Sequence, residues 1–576
     1  MPRNSGAGGS LINSLHMWRG IGLVLLCLVT FTVGLGQSAI TDSDEAYYAE
    51  AGREMVASGD WTTPHYNFEP RLQKPILFYW FIAATTRLTG VSEWAARIWS
   101  ALAGVGVALV AAAVARRWTG PHEGLLAGAI VATSFGVVPI ARQALPDVPL
   151  AFFISVTVWA AIEALTPVVL PRPSSRPHLW LYLSAAAAAL GFLTKGPVAV
   201  ALPVTVLVPL FWLEWRRGGL EALRSRVRFS HLLLAAAIFV VIAAPWYVAV
   251  MRAQGLDYAR QFFIGENVDR FATSTYNTWR GWQYVPVIIA GLLPWSTFGV
   301  LWWRPVRDWF ARRRAMTPVE ARLVCWAAGP LVFFMVSVGS QPRYILPCLV
   351  PIAVLLARTI AKVARSPLDP RGRSYRAAAI ASGAMIVVIG GLLWRAASVL
   401  VVPGEAPALI GPGLMLAIGV LAMLLLIVVS RAIAPVVIAM AAMLSLTVFE
   451  WSLLSPGRPE PVETMAAAIQ AAGPDLPVCA CGAIGRSLSF YTHHKVEIAN
   501  VTPEDVEEAR RFLATDQRVL AVMDVRGLEV LEASTGRRFP RVTELDYLNT
   551  FVWRRGDTLP DPDPTLVQRV VLISNR

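Results

Sequence analysis

The stretch RGIGLVLLCLVTFTVGLGQSAITDSDEAYYAE, from Arg19 to Glu50, decides the fold of this chain. It opens with about twenty apolar residues, the length that crosses a bilayer as a helix, and continues directly into three carboxylates, Asp42, Asp44 and Glu45. Carboxylates are costly beside a bilayer and rarely lie there without a function. A basic, aromatic stretch follows and ends in RLQKP at residues 71–75. Anions and a cation at a membrane surface suggest chemistry on a charged substrate that is linked to lipid.

Composition places the chain among multi-pass membrane proteins. Of its 576 residues, 55% are hydrophobic and only 15% are charged, and the mean hydropathy is +0.53. In a soluble protein, the formal net charge of +13 would suggest a nucleic-acid partner. Here the excess consists of arginines in the loops between apolar runs, where positive charge orients the spans. The membrane is therefore expected as a partner, and nucleic acid is not.

Long apolar runs predict a polytopic α-helical membrane domain over residues 1–454. Roughly thirteen runs are long enough to be transmembrane helices: residues 19–40, 95–115, 122–140, 148–165, 179–194, 197–213, 231–250, 282–303, 320–338, 344–361, 376–399, 411–429 and 432–453. The first run is too long for the core of a signal peptide, so we interpret it as an uncleaved signal anchor. Residues 75–88 are apolar but short, and they predict an interfacial helix on the outer leaflet with Tyr79 and Trp80 among the headgroups.

The arginine-rich loops give the orientation. They fall on alternate connections and share the side of Arg3 and Arg19, and positive charge marks the cytoplasmic side. The N-terminus is therefore predicted inside and the C-terminus outside. The other connections gather the unusual charged and polar residues on the predicted outer face: Asp42, Asp44, Glu45, Lys74, Arg142, Asp147, Lys195, Glu266, Arg270, Arg343 and Tyr344. A carrier would instead place ionisable groups in the centres of its spans.

The tail, residues 455–576, is predicted to form a small α/β domain on the outer face. It is polar and has strand-like runs at residues 477–480, 518–525 and 568–573. Thr502 is a candidate N-cap, followed by proline in the first helical turn. Nothing in this tail is typical of a catalytic site by itself.

The five cysteines do not form a recognisable framework. Three of them lie in apolar runs and are typical of inert core residues. Cys479 and Cys481 are too close along one strand for an unstrained disulfide. A metal site there with His493 and His494 is the less favoured alternative, because it would need more ligands nearby.

The outer-face residues supply what transfer from a polyprenyl-phosphate sugar requires. Cations stabilise the departing phosphate as its charge develops, and arginine is favoured where two oxygens are bound together. A carboxylate takes a proton from the acceptor or orients it, for which Asp44 is the natural candidate and Asp147 a second. The candidate phosphate-binding residues are Lys74, Arg270, Arg343 and Lys195.

Each of these residues also has a purely structural interpretation. Arg343 could anchor the chain at the membrane interface, and Lys195 could cap the C-terminus of a helix. Arg270 could pair only with Glu266, four positions earlier. Asp44 could be the N-cap of the helix that follows it.

At these residues the chain resembles the bacterial GT-C glycosyltransferases of the dolichyl-phosphate-mannose–protein mannosyltransferase superfamily. Within it, the pattern is most similar to the undecaprenyl-phosphate-aminoarabinose:lipid A transferases. The first matching stretch is highly specific, whereas the short ones alone would be weak. In the family's order, the matches are DSDEAYYAEAGREMVASGDWTTPHYN at 42–67, QKP at 73–75, LPDVPLA at 145–151, TKGP at 194–197, GENVDRF at 265–271, LLPW at 292–295 and PRYILP at 342–347.

The resemblance implies a site on the outer face, transfer with inversion, and Asp44 as the catalytic carboxylate. It also implies that Lys74 and Arg270 bind the donor phosphate, with Asp147 and Lys195 nearby. The residues expected to position the substrates are Glu45, Tyr48 and Tyr344.

The chain departs from the aminoarabinose transferases at several positions. Gln73 and Asn267 stand where that group tends to have an acidic residue and a histidine, two positions that can bind a metal ion. Amide side chains are poor zinc ligands, so no resident metal is predicted, and a divalent metal ion stays the disfavoured alternative. Tyr47 stands where the group tends to have arginine, and Ser340 where the superfamily commonly has lysine. These changes leave the donor sugar and the acceptor open, but not the reaction class.

We therefore predict an enzyme, a membrane glycosyltransferase that moves a sugar from undecaprenyl phosphate to an acceptor on the periplasmic face of the bacterial inner membrane. Lipid A or another envelope glycolipid is the favoured acceptor. Protein O-glycosylation with a polyprenyl-phosphate sugar is the alternative within the same class. A lipid or sugar carrier and a non-catalytic membrane scaffold are the alternatives from other classes.

Overall fold

The computed structural model describes residues 6–165, 176–224, 227–272, 281–312, 315–338, 341–400, 407–454, 460–481, 484–499, 506–548 and 567–576. Over these residues the chain is mostly α-helical, with one small mixed sheet near the C-terminus. The helices before that sheet are α1 (Gly6–Thr32), α2 (Asp44–Ser58), α3 (Leu77–Thr89), α4 (Glu93–Trp118), α5 (Pro121–Ala132), α6 (Val138–Ala141), α7 (Asp147–Leu165), α8 (Pro177–Lys195), α9 (Val198–Arg224), α10 (Phe229–Gln254), α11 (Asp257–Ala259), α12 (Arg270–Ala272), α13 (Tyr284–Gly291), α14 (Trp303–Phe310), α15 (Pro318–Val336), α16 (Leu349–Arg365), α17 (Gly372–Leu400), α18 (Pro407–Val428) and α19 (Ala434–Phe449). A short hairpin of β1 (His65–Tyr66) and β2 (Glu69–Pro70) lies between α2 and α3.

Ten helices of the described chain are long and apolar enough to cross a membrane, and one bent pair would make eleven. All ten coincide with predicted runs, so the polytopic helical fold is confirmed. The other three predicted runs differ from the prediction. The first is α1, whose apolar part, Met17–Thr32, is shorter than a full span, and the run 282–303 is a pair of helices, Gly281–Gly291 and Trp295–Phe310, bent by 114°.

The predicted span 122–140 is broken, because α5 ends at Ala132. Beyond it, Gly136 N donates to Gly291 O at 2.9 Å, and a second backbone bond of the same length lies beside it. The break after α5 thus pairs with the break in the bent helix pair. A Cβ at Gly136 would lie 2.4 Å from Gly291 Cα, so only glycine permits this approach. Backbone N–H groups at the first break thus donate to backbone carbonyl groups at the second, which satisfies both as an apolar environment requires.

Three helices, α4, α7 and α16, form the most buried part of the membrane bundle. Small residues line their contacts, which lets the backbones approach closely. A Cβ at Gly106 of α4, for example, would lie 2.7 Å from the ring of Phe152 in α7. The buried carboxylate of Glu163 in α7 accepts hydrogen bonds from Arg117 Nε at 2.6 Å and Trp118 Nε1 at 2.8 Å. This core fixes the ends of α4 and α7, which carry part of the candidate site.

Helix α3 forms where a short interfacial helix was predicted, but the predicted position of Tyr79 is wrong. Its side chain is fully buried, with its ring centroid 5.3 Å from that of Tyr48 and its hydroxyl accepting a hydrogen bond from Arg71 Nε at 3.2 Å. The apolar face of α3 packs on α2, and Tyr79 belongs to that face. Trp80 is partly buried and donates to Trp61 O at 2.7 Å.

The C-terminal region, defined here as residues 460–576, contains a five-stranded sheet of order β4-β3-β5-β7-β6. Its elements are α20 (Pro461–Ala472), β3 (Val478–Cys481), α21 (Gly485–Thr492), β4 (Val496–Ala499), α22 (Glu507–Leu513), β5 (Leu520–Asp524), α23 (Val525–Thr535), β6 (Arg541–Leu548) and β7 (Val567–Ser574). The three predicted strands are confirmed as β3, β5 and β7. The two strands that were not predicted, β4 and β6, are the polar edges of the sheet. The predicted helix start at Thr502 lies outside the described residues.

Candidate active site

The loop before α2 places Asp44 at the first position of that helix. Ser43 is the N-cap residue, and its hydroxyl accepts the Glu45 N–H at 3.3 Å, which satisfies one donor left open by the helix start. The capping role thus belongs to Ser43, and the carboxylate of Asp44 is not needed for it. The Asp44 side chain remains 40% exposed, at the helix end where negative charge is favoured.

The neighbouring carboxylate, Glu45, points into the protein and has no exposed surface. Arg97 donates two hydrogen bonds to its carboxylate, from Nε at 2.7 Å and from Nη2 at 3.0 Å. The backbone N–H groups of Thr41 and Ala144 donate to the same carboxylate at 3.0 and 2.8 Å. Burial by itself raises the pKa of Glu45, but the charge and hydrogen bonds of Arg97 outweigh it and hold the pKa below its ordinary value. Glu45 was expected to position a substrate; here it can do so only by holding the loop that carries Asp44.

Four of the predicted residues meet in one network of charges. Lys195 Nζ lies 2.6 Å from Asp147 Oδ1, and Arg343 Nε lies 3.2 Å from Asp147 Oδ2. The Nη2 atom of the same arginine contacts Asp44 Oδ2. Asp147 begins α7, Lys195 ends α8, and Arg343 lies in a 3-10 segment, Pro342–Cys348. Distant parts of the sequence thus converge, as predicted, at one place.

Tyr344 flanks this network. Lys195 Nζ lies 4.4 Å from the centre of its ring, a cation–π contact. Arg343 and Tyr344 are adjacent in sequence, so the same 3-10 segment presents a guanidinium and an aromatic ring to the cavity. Besides the structural roles considered for them, Arg343 and Lys195 each contact a carboxylate.

A second ion pair lies opposite. Lys74 Nζ donates to Glu266 Oε2 at 2.8 Å and to Gln73 O at 2.9 Å. Glu266 lies in a π-helical segment, Arg260–Asp269, and Arg270 follows it as the first residue of α12. The side chain of Arg270 lies outside the described part of the structure, so its predicted phosphate contact stays a prediction.

A cavity of about 320 Å³ lies between these two ion pairs. One part of its wall is charged, and most of the rest is apolar. The charged part consists of Lys74, Asp147, Lys195, Glu266 and Arg343, and the apolar part includes Leu150, Val198, Ala201, Leu202, Phe333, Phe334 and Pro347. The arrangement suits a ligand with an anionic head and a hydrocarbon tail. The cations of the charged wall can bind the head, because a buried charge needs a partner, and the apolar wall can bury the tail.

On the other side of α2, Tyr48 is buried against Phe78 and Tyr79. Burial and the neighbouring Tyr79 raise the pKa of Tyr48 well above its ordinary value, so the phenol stays protonated near neutral pH. Arg71 approaches the same aromatic group, with Cζ 5.8 Å from the Tyr48 ring centre and 4.1 Å from that of Tyr47. Arg71 is not among the predicted site residues; its signal in the sequence is its position three residues before the motif lysine, Lys74.

The donor set at the two family metal positions does not fit a metal ion. Gln73 Oε1 is buried without a hydrogen-bond partner, Asn267 Nδ2 donates to Phe262 O at 2.7 Å, and the carboxylate beside them, Glu266, is paired with Lys74. Neutral amides beside an ammonium group are a poor environment for a divalent cation. Within the described chain, no three His, Cys, Asp or Glu side chains come together as a metal site.

Comparison with known proteins finds similar sequences and folds. Residues 20–256 match the family model described as dolichyl-phosphate-mannose-protein mannosyltransferase. An undecaprenyl phosphate-alpha-4-amino-4-deoxy-L-arabinose arabinosyl transferase of Erwinia tasmaniensis is 33% identical over 343 residues, 58% of each chain. One of the same description from Aeromonas salmonicida is 32% identical over 365 residues, 63% of each chain. The aligned part therefore spans less than two thirds of the length of these curated relatives.

Solved structures show the same fold over nearly the whole chain. The crystal structure of ArnT from Cupriavidus metallidurans bound to undecaprenyl phosphate superposes with a TM-score of 0.73 at 24% identity, covering 96% of this chain and 98% of that one. The apo structure of the same protein gives a TM-score of 0.72 and covers 98% of each chain. Over residues 20–256 the chain is thus similar to the dolichyl-phosphate-mannose-protein mannosyltransferase family, and it shares the fold of the solved ArnT structures.

Proposed function

We propose that this protein is a glycosyltransferase that moves a sugar, with inversion, from undecaprenyl phosphate to lipid A or another envelope glycolipid. One observation carries the proposal: Asp44 contacts a cation, Arg343, at the charged wall of a cavity whose remaining wall is mostly apolar. That cavity matches a polyprenyl phosphate in both its charged and its hydrocarbon part. The names of the curated relatives and the ligand of the solved ArnT structure support the same donor class.

The cations of the cavity would stabilise the leaving phosphate. Lys74, Lys195 and Arg343 each face a carboxylate in this structure, so the cavity is nearly neutral before the donor binds. A phosphate that binds Arg343 competes with Asp44 for the same guanidinium. Donor binding would therefore release Asp44 towards the acceptor while the cations remain aligned on the charge that develops during transfer.

Asp44 would act on the acceptor. For a hydroxyl acceptor it takes the proton as the oxygen attacks the anomeric carbon from the face opposite the phosphate, which inverts that centre. A phosphate acceptor is already ionised near neutral pH, and Asp44 would then position or protonate it. In both cases Asp147 keeps Lys195 and Arg343 in place.

The proposal includes an orientation. We place the protein in the bacterial inner membrane with the site and the C-terminal region on the periplasmic face, because positive charge concentrates on the opposite set of loops. The division into a membrane domain, 1–454, and a periplasmic domain, 455–576, belongs to the same proposal. Attachment of a cysteine-reactive, membrane-impermeant label to an Asp60→Cys variant in intact spheroplasts tests the orientation of the site.

A second candidate is protein O-glycosylation, which the matching family model favours by its description. The two candidates share donor and site and differ only in the acceptor. A carrier is less well supported, because the described ionisable residues of the site lie at helix ends and in loops, where a carrier would need them at mid-span.

The test uses purified full-length protein, wild type and Asp44→Asn, with undecaprenyl-phosphate sugars and either envelope lipid extract or periplasmic protein extract. A mass shift on lipid A with the wild type alone is the expected result. Asp516→Asn is the matched control, because that carboxylate is exposed and remote from the cavity. A shift on protein alone would establish the second candidate, and donor left unconsumed in every mixture would overturn the proposal for those donors.

A further inference from the structure

Two arginines from different parts of the chain face one aromatic ring beside Asp44. Arg71 Cζ lies 4.1 Å and Arg486 Cζ 5.4 Å from the centre of the Tyr47 ring. Arg71 follows the β1–β2 hairpin, whereas Arg486 belongs to the first turn of α21 in the C-terminal region. Tyr47 is three positions after Asp44 in α2, so the two side chains share one side of that helix.

Neither guanidinium is paired with a carboxylate in the described structure. Arg71 Nε donates to the Tyr79 hydroxyl at 3.2 Å, and its other N–H groups have no hydrogen-bond partner there. For the Arg486 side chain, the described residues offer a contact with the Tyr47 ring but no hydrogen bond or ion pair. Other arginines around α2 are matched, as Arg53 is with Glu50 and Arg97 with Glu45. Two guanidinium groups that share one ring, and have no ion-pair partner among the described residues, are open to an anionic ligand.

The position of Arg486 is fixed by the segments that precede and follow α2. Asp42 Oδ1 accepts from the backbone N of Arg486 at 2.7 Å and of Ser487 at 2.8 Å. Tyr66 Oη donates to Arg486 O at 3.1 Å, and its ring makes an edge contact with Tyr47 at 4.6 Å. Both backbone groups of Arg486 are thus held by residues of the loops around α2, which aims its side chain at Tyr47.

This pair lies apart from the donor cavity. Lys74, Lys195 and Arg343 line that cavity, and neither Arg71 nor Arg486 does. The exposed Asp44 contacts Arg343 on one side, and Tyr47 follows one turn later in the same helix. Cations therefore contact both Asp44 and the ring one turn later in α2, which would bring a donor phosphate and an acceptor anion close to the same carboxylate.

We infer that Arg71 and Arg486 form an anion site that binds a phosphate group of the acceptor lipid next to Asp44. The inference rests on the proposed function and specifies the acceptor side of the same site. Arginine binds phosphate through two parallel N–H groups, and the half-buried Arg71 and Arg486 retain such groups. The C-terminal region thereby contributes a side chain to acceptor binding.

The test compares Arg486→Ala and Arg486→Lys with Arg511→Ala, an exposed arginine of the same region remote from Tyr47. Two measurements are made on the full chain: the KM values for donor and for diphosphorylated lipid A, and direct binding of lipid A in detergent without donor. We expect Arg486→Ala to raise the KM for lipid A about ten-fold, as for the loss of one charge-assisted contact, with the donor KM unchanged. Arg486→Lys should recover part of this loss, and Arg511→Ala should match the wild type.

Binding separates this inference from the proposed function. Wild-type protein should bind diphosphorylated lipid A more tightly than the fully dephosphorylated lipid, and Arg486→Ala should abolish the difference, even if no sugar is transferred. Equal binding of the two lipids by the wild type would overturn the inference. An Arg486→Ala protein with a normal KM for lipid A would also overturn it.

Discussion

The two sides of the first turn of α2 hold adjacent carboxylates in opposite environments. Glu45 is fully buried and saturated with hydrogen bonds from Arg97 and two backbone N–H groups. Asp44 is substantially exposed and contacts Arg343. The inner side fixes the position of the loop, whereas the outer side carries a charge that can change partners. In the proposed function, one acidic motif thus combines a structural residue, Glu45, with a chemical residue, Asp44, and mutation can separate the two roles.

The largest expected effect on turnover comes from Asp44, on the exposed side of α2. Asp44→Asn should lower the turnover number about a thousand-fold, the range in which a positioned acid or base acts, and leave Tm in detergent unchanged. Initial transfer rates and a thermal melt of the same preparation measure both. A substantial drop in Tm would mean that Asp44 is structural, and the distinction between the two sides would fail.

Glu45→Gln should produce the reverse pattern. It leaves the Arg97 guanidinium buried with a neutral partner, and breaking a buried ion pair in this way costs about 3 kcal/mol. We expect a clear fall in Tm and a loss of activity that follows the folded fraction. If the variant melts like the wild type but has lost turnover per folded molecule, then Glu45 belongs to the chemistry.

Asp147→Asn should have an intermediate effect. It removes a charged acceptor from both Lys195 and Arg343, and the loss of a charged hydrogen bond of about 2 kcal/mol corresponds to about thirty-fold in kcat/KM for the donor. The acceptor KM should stay unchanged because the acceptor anion site lies elsewhere. Initial rates with each substrate varied in turn decide the point. Parallel losses for donor and acceptor would show that Asp147 supports the whole site.

The smallest expected effect concerns pH and the far end of α2. Glu54 is buried, and its pKa is raised to about 7 by burial first and by the neighbouring Glu50 second. A carboxyl group with a raised pKa stabilises the fold below its unfolded pKa, and this contribution is lost as pH rises to 7. Tm should therefore fall between about pH 5 and 7 in the wild type and less so in Glu54→Gln. The exposed Glu69→Gln should behave like the wild type, and an equal slope in all three proteins would refute the assignment.

Sequence alone predicted which residues gather at the site because they lie in loops on one face. Asp44, Asp147, Lys195 and Arg343 meet as expected, since charged residues between apolar runs can only lie at helix ends. The sequence did not reveal which of two adjacent carboxylates faces inward. That depends on Arg97, the one charged residue of the predicted span 95–115, whose partner lies 52 positions away.

The differences in the fold have equally local causes. The span predicted at 122–140 fails because Gly136 meets Gly291, a contact between two breaks that no hydropathy pattern contains. Tyr79 was assigned to the membrane surface because aromatic residues favour it, but Arg71 and Tyr48 offer its ring and hydroxyl a buried alternative. Contacts between distant segments decided each case.

The hydrogen bonds of Asp42 to the first turn of α21 have a consequence for how this architecture tolerates change. The helical part of the chain and its C-terminal region, residues 460–576, are not interchangeable modules joined by a linker. A C-terminal region from a relative would have to offer two backbone N–H donors at the same point, or the segment two residues before Asp44 would lose its anchor. Recombination between relatives is therefore constrained at a junction that is invisible in the chain order, because the partners are separated by 444 positions.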